Sequence, residues 1–362
     1  LERGLRYLDE ELSKGDVSGE AAFFLYDSLG FPVDLTELVA REKGYGVDTK
    51  GFEKEMKTQV ERSRADRQAK AAAALGSATI ELGAAETAAL LASGIEQTKQ
   101  SAVADDVKND AVSGTGTVQA LFIVDDQGAL QRVEARNLEE GPVGVVLDQS
   151  PFYAEAGGQK NDIGTIEIDG VTLQVRDVQA YAGFVLHTCV ASEGTIKVSA
   201  SAQASVDAEN RRRNSINHSM THALNWALWT KLGDGVAQRG SDNDAERLRF
   251  DFSHGKALTG DELEEVEALV NQVIEKDDPI QRALVPLDEA MKIESLRAVF
   301  GENYPDPVRV VAVGLGDDTL DDVRKDPGNK KWRAASIELC GGTHSLASGD
   351  AKRFVITREE AV

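Results

Sequence analysis

The sequence predicts an α+β protein of several domains, with an N-terminal helical region, a small β-barrel and then a mixed α+β domain. Three observations predict this class. Leucines recur at helical spacing near the start, short β-like runs occupy the middle, and helices and strands then mix without a βαβ rhythm. At 362 residues the chain is long enough for two or three domains with cores of their own.

The first predicted domain, residues 1–75, reads as helical. The string AAFFLYDSL at 21–29 is a compact apolar helix. In FPVDLTELVAREKG, Asp34 precedes the apolar residues and Gly44 follows them, which is a start and a stop signal for a helix. The run Glu53–Lys70 predicts a longer, strongly charged helix.

A polar connector and a small β-barrel follow. Residues 76–112 are rich in Ala, Ser, Asp and Gly, which predicts a partly helical connector. Residues 113–206 contain short β-like runs interrupted by Gly and Asp, a spacing typical of a small barrel or sandwich. Asp-Gln-Gly at 126–128 and Asp-Gly at 169–170 predict hairpin turns.

The last predicted domain, residues 207–362, mixes helices with strands. The helix Asn214–Leu232 ends at Gly233, and a second helix is predicted over Asp261–Lys276. The predicted strands are RLRFDF (247–252), IQRALVPL (280–287), VRVVAVG (308–314), AASIEL (334–339) and RFVIT (353–357).

Composition bounds the compartment and the partners. Two cysteines exclude a disulfide scaffold, and no apolar run approaches the roughly 20 residues of a spanning helix, so we expect a cytoplasmic protein without a membrane partner. A net charge of −22 requires any nucleic-acid contact to be a local basic patch, although a solvated face is the commoner fate of basic runs. The candidate patches are Arg211, Arg212 and Arg213; Lys330, Lys331 and Arg333; and Arg62, Arg64, Arg67 and Lys70.

Two short motifs predict a metal site. His218 and His222 form HxxxH, and Cys340 and His344 form CxxxH, in a chain with only five histidines and two cysteines. Residues four apart on a helix share a face, and the two glycines of CGGTH let the second motif bend around an ion. Either pair alone would favour solvated histidines and an unrelated cysteine. Together they favour a tetrahedral Zn²⁺ site of three imidazoles and a thiolate.

Several longer motifs resemble the alanyl-tRNA synthetase family, in that family's order and over nearly the whole chain. GEAAFFLYDSLGFPVDLTELVAREKGYGVD (19–48) is similar to its helical tRNA-recognition region, and SPFYAEAGGQKNDIGTI (150–166) to its β-domain. The motifs that resemble its editing domain are HSMTH at 218–222, QRG at 238–240, RFDFSH at 249–254 and SIELCGGTH at 336–344.

The resemblance implies a zinc-dependent editing domain that hydrolyses tRNA(Ala) mischarged with Ser or Gly. It also implies an internal fragment, because the family has a class II catalytic domain upstream and an oligomerisation region downstream. ATP is expected only for that missing upstream domain, so this chain by itself is not expected to charge tRNA. The oligomeric state and the preference between Ser and Gly stay open.

The resemblance also suggests roles for residues near the metal motifs. Thr221 offers a hydroxyl for a substrate serine, and Gln238 could position substrate or water. The alternatives are back-bonding of Thr221 to its own helix and a surface loop position for Gln238. Asp251 could orient a ligand imidazole or be a strand-edge carboxylate. Gly-Gly-Gln at 157–159 predicts a turn or a tRNA-facing loop, and His187 predicts packing or local hydrogen bonds.

The role of the metal is open at this point. Four protein ligands usually make a closed structural site, whereas catalysis needs an open position. Cys340 could be a loose ligand that yields to water or substrate, so that the metal activates the water. Alternatively the metal only shapes the pocket, and the neighbouring hydroxyl of the terminal adenosine activates the water.

Two other functions compete with editing. The chain could be a tRNA-binding module in which zinc only staples the α+β domain, without hydrolytic activity of its own. It could also be a general metallohydrolase, which the lack of a HExxH-type carboxylate beside the histidines disfavours. The site predicted for an editing enzyme has His218, His222, Cys340 and His344 as metal ligands and Thr221, Gln238 and Cys340 as catalytic residues.

Overall fold

The computed structural model describes residues 2–58, 80–101, 112–125, 127–191, 193–298 and 304–360. These residues belong to two compact units, Leu1–Thr79 and Ile80–Val362. The predicted basic cluster Arg62, Arg64, Arg67 and Lys70 lies outside the described residues, as does the predicted charged helix beyond residue 58.

The N-terminal unit is helical, as its sequence predicts. Its helices are α1 (Glu2–Leu12), α2 (Gly19–Asp27), α3 (Val33–Glu42) and α4, described over residues 49–58. Helix α2 begins after Ser18, whose hydroxyl accepts a hydrogen bond from Ala21 N–H at 3.2 Å. Leu8, Leu25 and Phe31 are fully buried between the helices and form the centre of this unit's apolar core.

A closed barrel of six antiparallel strands opens the second unit and confirms the predicted small β-barrel. The elements are α5 (Ala84–Ala92), β1 (Lys99–Gln100), β2 (Ser113–Val124), β3 (Leu130–Val133), β4 (Ala135–Asn137), β5 (Val143–Leu147), β6 (Gln149–Ser150), β7 (Gly164–Ile168), β8 (Val171–Tyr181), β9 (Phe184–Val190), β10 (Thr195–Lys197) and β11 (Ser201–Val206). The ring runs β11-β7-β8-β9-β5-β2 and closes where β2 pairs with β11. Inward-facing Val, Leu and Ile residues fill it.

Two hairpin turns lie where the sequence predicts them. Asp169 and Gly170 have positive φ values of 51° and 81° and connect the paired residues Ile168 and Val171, which is the backbone that a two-residue hairpin loop requires. The turn between β2 and β3 is closed by the carboxylate of Asp125, which accepts two backbone N–H groups at 3.0 and 2.8 Å.

A buried histidine is part of the barrel core. His187 is fully buried, with Nδ1 2.9 Å from the carbonyl of Val145 and Nε2 2.7 Å from the hydroxyl of Ser150. Burial lowers the pKa of His187 to about 4. The predicted packing and hydrogen-bonding role of this residue is therefore confirmed.

The rest of the second unit packs helices against small antiparallel sheets, which confirms the α+β class. Its elements are α6 (Ala208–Leu232), β12 (Gln238–Asn243), β13 (Leu248–Phe252), α7 (Gly260–Lys276), β14 (Gln281–Val285), α8 (Leu287–Ala290), β15 (Val308–Val313), α9 (Leu320–Lys325) and β16 (Ser336–Leu339). Helix α6 begins earlier than predicted because the carboxylate of Asp207 caps it. Strands β14, β15 and β16 form one antiparallel sheet in that order.

The predicted strand at RFVIT (353–357) is wrong. These residues form no regular secondary structure and pair with no strand among the described residues. Side chains of α7 satisfy their backbone instead. Phe354 N–H donates to Asn271 Oδ1 at 2.9 Å, and Ile356 N–H donates to Glu267 Oε2 at 2.8 Å. An apolar alternation predicts an extended segment, but only the neighbouring element decides whether that segment joins a sheet.

Candidate metal centre

The two predicted pairs come together at one point. Helix α6 carries His218 and His222 on one face, and the turn after β16 carries Cys340 and His344. Their ligand atoms all lie within 4.8 Å of one another, and His218 Nε2 is 3.4 Å from Cys340 Sγ. The three imidazoles are at most 6% exposed, whereas Cys340 is only partly buried. The cluster is therefore open to solvent mainly from the side of the thiol.

Each imidazole has one nitrogen held by the protein and one facing the cluster. The three Nδ1 contacts are His218 with Gln159 Oε1 (2.7 Å), His222 with Glu338 Oε2 (2.7 Å) and His344 with Ser219 Oγ (3.2 Å). Among the described residues, the buried Nε2 atoms of His222 and His344 have no hydrogen-bond partner. Unpaired buried nitrogens beside a thiol fit a metal ion, because the Nδ1 contacts select the tautomer that leaves Nε2 free to bind it.

Glu338 is the carboxylate that orients the imidazole of His222. While Oε2 faces His222, Oε1 accepts hydrogen bonds from Asn225 at 3.0 Å, Arg297 at 3.2 Å and Ser336 at 2.9 Å. Burial alone would raise the pKa of Glu338, but His222 and Arg297 outweigh it and lower that pKa. The carboxylate is therefore ionised and can hold the proton of His222 Nδ1.

Asp251, which could have had this role, lies elsewhere. Its carboxylate is about half exposed and pairs with Arg249 at 3.1 Å, across from Gly240 on β12. It is a strand-edge carboxylate, which was the alternative expected for it.

The cluster favours the thiolate form of its cysteine. Burial by itself would raise the pKa of Cys340, but the imidazoles of His218, His344 and His222 lower it well below its ordinary value. Burial lowers the pKa of His344. A thiolate is the form of cysteine that binds a metal ion, so the lowered pKa of Cys340 suits a metal ligand.

The space beside the Cα of Gly342 is occupied by the side chains of His218 and Gln159. A Cβ added there would overlap the ring of His218 and lie 2.7 Å from Gln159 Oε1. The same atom added at Gly341 would meet nothing within 4 Å. The first glycine of CGGTH is thus sterically free, whereas the second lets the turn pass directly over a ligand imidazole.

The side chains of Thr221 and Gln238 contact residues outside the cluster. The hydroxyl of Thr221 lies 2.9 Å from its own helix carbonyl at Asn217, as the alternative expected, and 2.9 Å from Asn243 Oδ1 on β12. Gln238 is partly buried on β12, not in a surface loop, and its Nε2 is 3.4 Å from Ser241 Oγ. Within the described parts of the chain, neither residue hydrogen-bonds to the four clustered residues.

Arg211 is wrong as a candidate nucleic-acid contact. It is 3% exposed and forms a bidentate ion pair with the buried Asp162. Its neighbours Arg212 and Arg213 are more than half exposed and pair with Glu209. In the second candidate patch, Lys331 pairs with Asp318 and Arg333 with Asp234, and both of these basic side chains are exposed.

The fold and the site together define a protein in which a small β-barrel and an α+β part share one compact unit with a His/His/Cys/His group that could hold a metal ion. Residues 1–210 match the family described as tRNA synthetases class II (A), and the chain belongs to that family. No helix in the described residues combines the length and the apolar character needed to cross a membrane.

Relatives with known names support the resemblance seen in the motifs. The chain is 40% identical over 349 residues to an alanine–tRNA ligase of Candida albicans, 42% over 365 residues to one of Jannaschia sp., and 38% over 369 residues to the mitochondrial alanine–tRNA ligase of Saccharomyces cerevisiae. These alignments cover 96–100% of the chain but only 34–38% of each relative. The chain therefore spans about a third of their length, and the expected resemblance to alanyl-tRNA synthetases is confirmed.

Sequence reasoning missed two residues that hold the ligand imidazoles, Gln159 and Glu338. Glu338 stands two residues before Cys340 and is the single charged residue of a fully buried strand, a signal that could have been used. Gln159 carried no such signal. It comes from the barrel, 59 residues before the histidine that it contacts.

Proposed function

We propose that this chain is the editing part of an alanine–tRNA ligase. In this proposal it hydrolyses the ester of tRNA(Ala) mischarged with serine or glycine, in the cytoplasm. The observation that carries the proposal is the buried His218, His222, Cys340 and His344 cluster, in a chain whose named relatives are alanine–tRNA ligases. Charging tRNA with alanine, and the ATP that this consumes, would belong to parts of the protein outside this chain.

The proposed metal is Zn²⁺, because three imidazoles and a thiolate within one small buried cluster are its preferred tetrahedral donors. When bound there, Zn²⁺ would supply a Lewis acid that polarises the ester or the attacking water. Cys340 is the least buried of the four ligands. It is therefore the ligand that substrate or water could displace, and the three imidazoles would retain the ion.

The two nearby polar residues are proposed to bind the substrate. Thr221 would meet the serine hydroxyl as an acceptor, because its single proton is shared between the two oxygens of Asn217 and Asn243. Gln238 extends from the strand beside it and would position the ester or the water. Each role requires the substrate to enter between α6 and β12, the two elements that carry these residues.

A hydrolytic site of this kind solves a problem that a synthetic site cannot solve. Glycine is smaller than alanine and always fits an alanine pocket, and an apolar pocket rejects an added hydroxyl only by about 100-fold. A second site whose polar groups require the serine hydroxyl can reject alanine by roughly 10⁴–10⁵. The polar lining that Thr221 and Asn243 form is suited to that task.

One observation favours the alternative, a tRNA-binding module that only contains zinc. All four ligands come from the protein and three of them are almost fully buried, and four protein ligands are usual in structural sites. In that case the metal would only hold α6 against the turn after β16, and hydrolysis would need residues from outside this chain.

The test is deacylation of Ser-tRNA(Ala), Gly-tRNA(Ala) and Ala-tRNA(Ala) by the zinc-loaded chain. We expect fast loss of serine, slow loss of alanine, and no hydrolysis of the serine or glycine ester after chelation or in Cys340→Ala. The matched control is Cys189→Ala, which changes the other cysteine, fully buried in the barrel core, and should leave hydrolysis intact. A folded, zinc-loaded chain that binds tRNA(Ala) but hydrolyses none of the three would refute the proposal and support the binding module.

A further inference from the structure

A barrel residue reaches into the metal centre. Gln159 is fully buried and lies in the turn between β6 and β7. Its side-chain oxygen is 2.7 Å from His218 Nδ1 and accepts a hydrogen bond from Thr343 N–H at 2.9 Å. Its amide nitrogen donates to Thr343 Oγ1 at 2.8 Å. Gln159 is therefore enclosed between His218 on α6 and the turn that carries Cys340 and His344.

The orientation of the Gln159 amide follows from these contacts. Thr343 N–H can only donate, so the atom of Gln159 that faces it must be the oxygen. That same oxygen faces His218 Nδ1, which must then carry the proton. In the neutral imidazole the remaining nitrogen, Nε2, then carries no proton, and it is directed at Cys340 Sγ. Gln159 thereby selects the tautomer of His218 that can bind a metal ion.

The turn that carries Gln159 is clamped in place. Gly157 and Gly158 adopt positive φ values of 58° and 83°, a backbone open mainly to glycine. Lys160 N–H donates to the carbonyl of Asn243 at 2.9 Å, and Asn243 N–H donates to the carbonyl of Gly158 at 2.8 Å. The turn therefore runs alongside β12, and its position is set by the backbone on both sides of Gln159.

A second contact aligns the same segment on α6. Arg211 and His218 are seven residues apart, about two helical turns, and so lie on one face of α6. Arg211 binds Asp162 and His218 binds Gln159. Two polar contacts along one helix face thus dock residues 159–162 of the barrel, and Gly342 leaves room for the inner contact.

We propose that Gln159 is a positioning residue that sets the metal affinity of the centre, so that the barrel and the α+β part share one metal site. This proposal rests on the proposed metal site but not on hydrolysis. Removing a group that holds a ligand imidazole typically lowers metal affinity about 10- to 100-fold. Without Gln159, His218 is free to move its proton to Nε2 and to turn away from the ion.

The test is metal affinity, measured on the whole chain by chelator competition with Zn²⁺ and by the visible spectrum of the Co²⁺-substituted protein. Gln159→Met keeps the length of the side chain and removes the acceptor, and it should weaken Zn²⁺ binding about 10- to 100-fold. Gln159→Glu keeps two acceptor oxygens and should stay within a few-fold of the wild type. Gln203→Met makes the same change at an exposed position of β11 and should have no effect.

Three outcomes separate this inference from the proposed function. Wild-type affinity in Gln159→Met, or a Gln159→Glu protein as weak as Gln159→Met, would overturn the positioning role while leaving the metal site intact. A wild-type chain that binds no metal would refute the metal site itself. If Gln159→Met does not fold, Gln159→Asn applies the same test, because its amide is one methylene too short to reach His218, and wild-type affinity in that variant would overturn the proposal.

Discussion

Arg211 gives the sharpest test of the structure. It is the first of three consecutive arginines, and the fold buries it while its two neighbours stay exposed. Arg211 Nε lies 2.8 and 2.9 Å from the two carboxylate oxygens of Asp162, and Arg211 Nη2 donates to the carbonyl of Pro151 at 2.8 Å. The side chains of Arg211 and Asp162 are 4% and 0% exposed, respectively. Replacing Arg211 with leucine would leave the carboxylate buried, with the backbone N–H of Tyr153 at 2.6 Å as its described donor.

The size of the effect follows from that burial. Removing one partner of a buried ion pair costs about 3–5 kcal/mol, because the other charge stays out of water without compensation. Arg212 and Arg213 are 57% and 56% exposed in their pairs with Glu209. Exposed pairs contribute about 0–1 kcal/mol. We therefore expect Arg211→Leu to destabilise the chain several times more than Arg212→Leu or Arg213→Leu.

Urea unfolding followed by tryptophan fluorescence measures these differences, since Trp226 and Trp229 lie on the same helix. The double variant Arg211→Leu/Asp162→Asn removes the buried charge while its amide oxygen still accepts from Tyr153. It should be more stable than Arg211→Leu alone. A single Arg211→Leu that costs no more than Arg212→Leu, or a double variant less stable than the single one, would refute the reasoning.

Three further predictions concern the centre and the barrel. Glu338→Gln should weaken Zn²⁺ binding about 10- to 100-fold in chelator competition, because either orientation of the amide sets a donor against a donor. Gly342→Ala should also weaken Zn²⁺ binding, whereas Gly341→Ala, with free space around its Cβ, should not. Burial lowers the pKa of His187 to about 4, so its stabilisation is complete above about pH 6.5 and is lost as pH falls toward 4. The free energy of unfolding of the wild type should therefore fall by about 2 kcal/mol more than that of His187→Gln when the pH is lowered from 8 to 5.

Each of these has an outcome that contradicts it. Wild-type affinity in Glu338→Gln would show that the carboxylate does not hold the imidazole, and Glu265→Gln, at an exposed surface pair, controls for the loss of a charge. Equal metal binding in both glycine variants would contradict the close packing at Gly342. A pH-independent stability difference between His187→Gln and the wild type would exclude a neutral buried histidine.

The sequence predicts elements well where the signal is local. The spacing HxxxH is meaningful because one helix face repeats every three or four residues, and α6 presents both histidines as expected. Asp-Gly at 169–170 predicts its hairpin because few residues adopt positive φ. The strand prediction for RFVIT is wrong because the residues of a segment do not determine which element it will pair with. Two of its backbone N–H groups bond to side chains of α7 instead of to a strand.

By itself the sequence determined the α+β class, the barrel, the four residues of the His/His/Cys/His cluster and the family resemblance, since each depends on residue types at short spacings or on motifs several residues long. Only the tertiary structure decided which polar groups hold those ligands. Gln159 and Glu338 contact their histidines across 59 and 116 residues, and no local pattern encodes such a distance. The tertiary structure also decided the role of Arg211. In the sequence it is one of three consecutive arginines, but the fold buries it against Asp162, because burial is a property of packing and not of the residue.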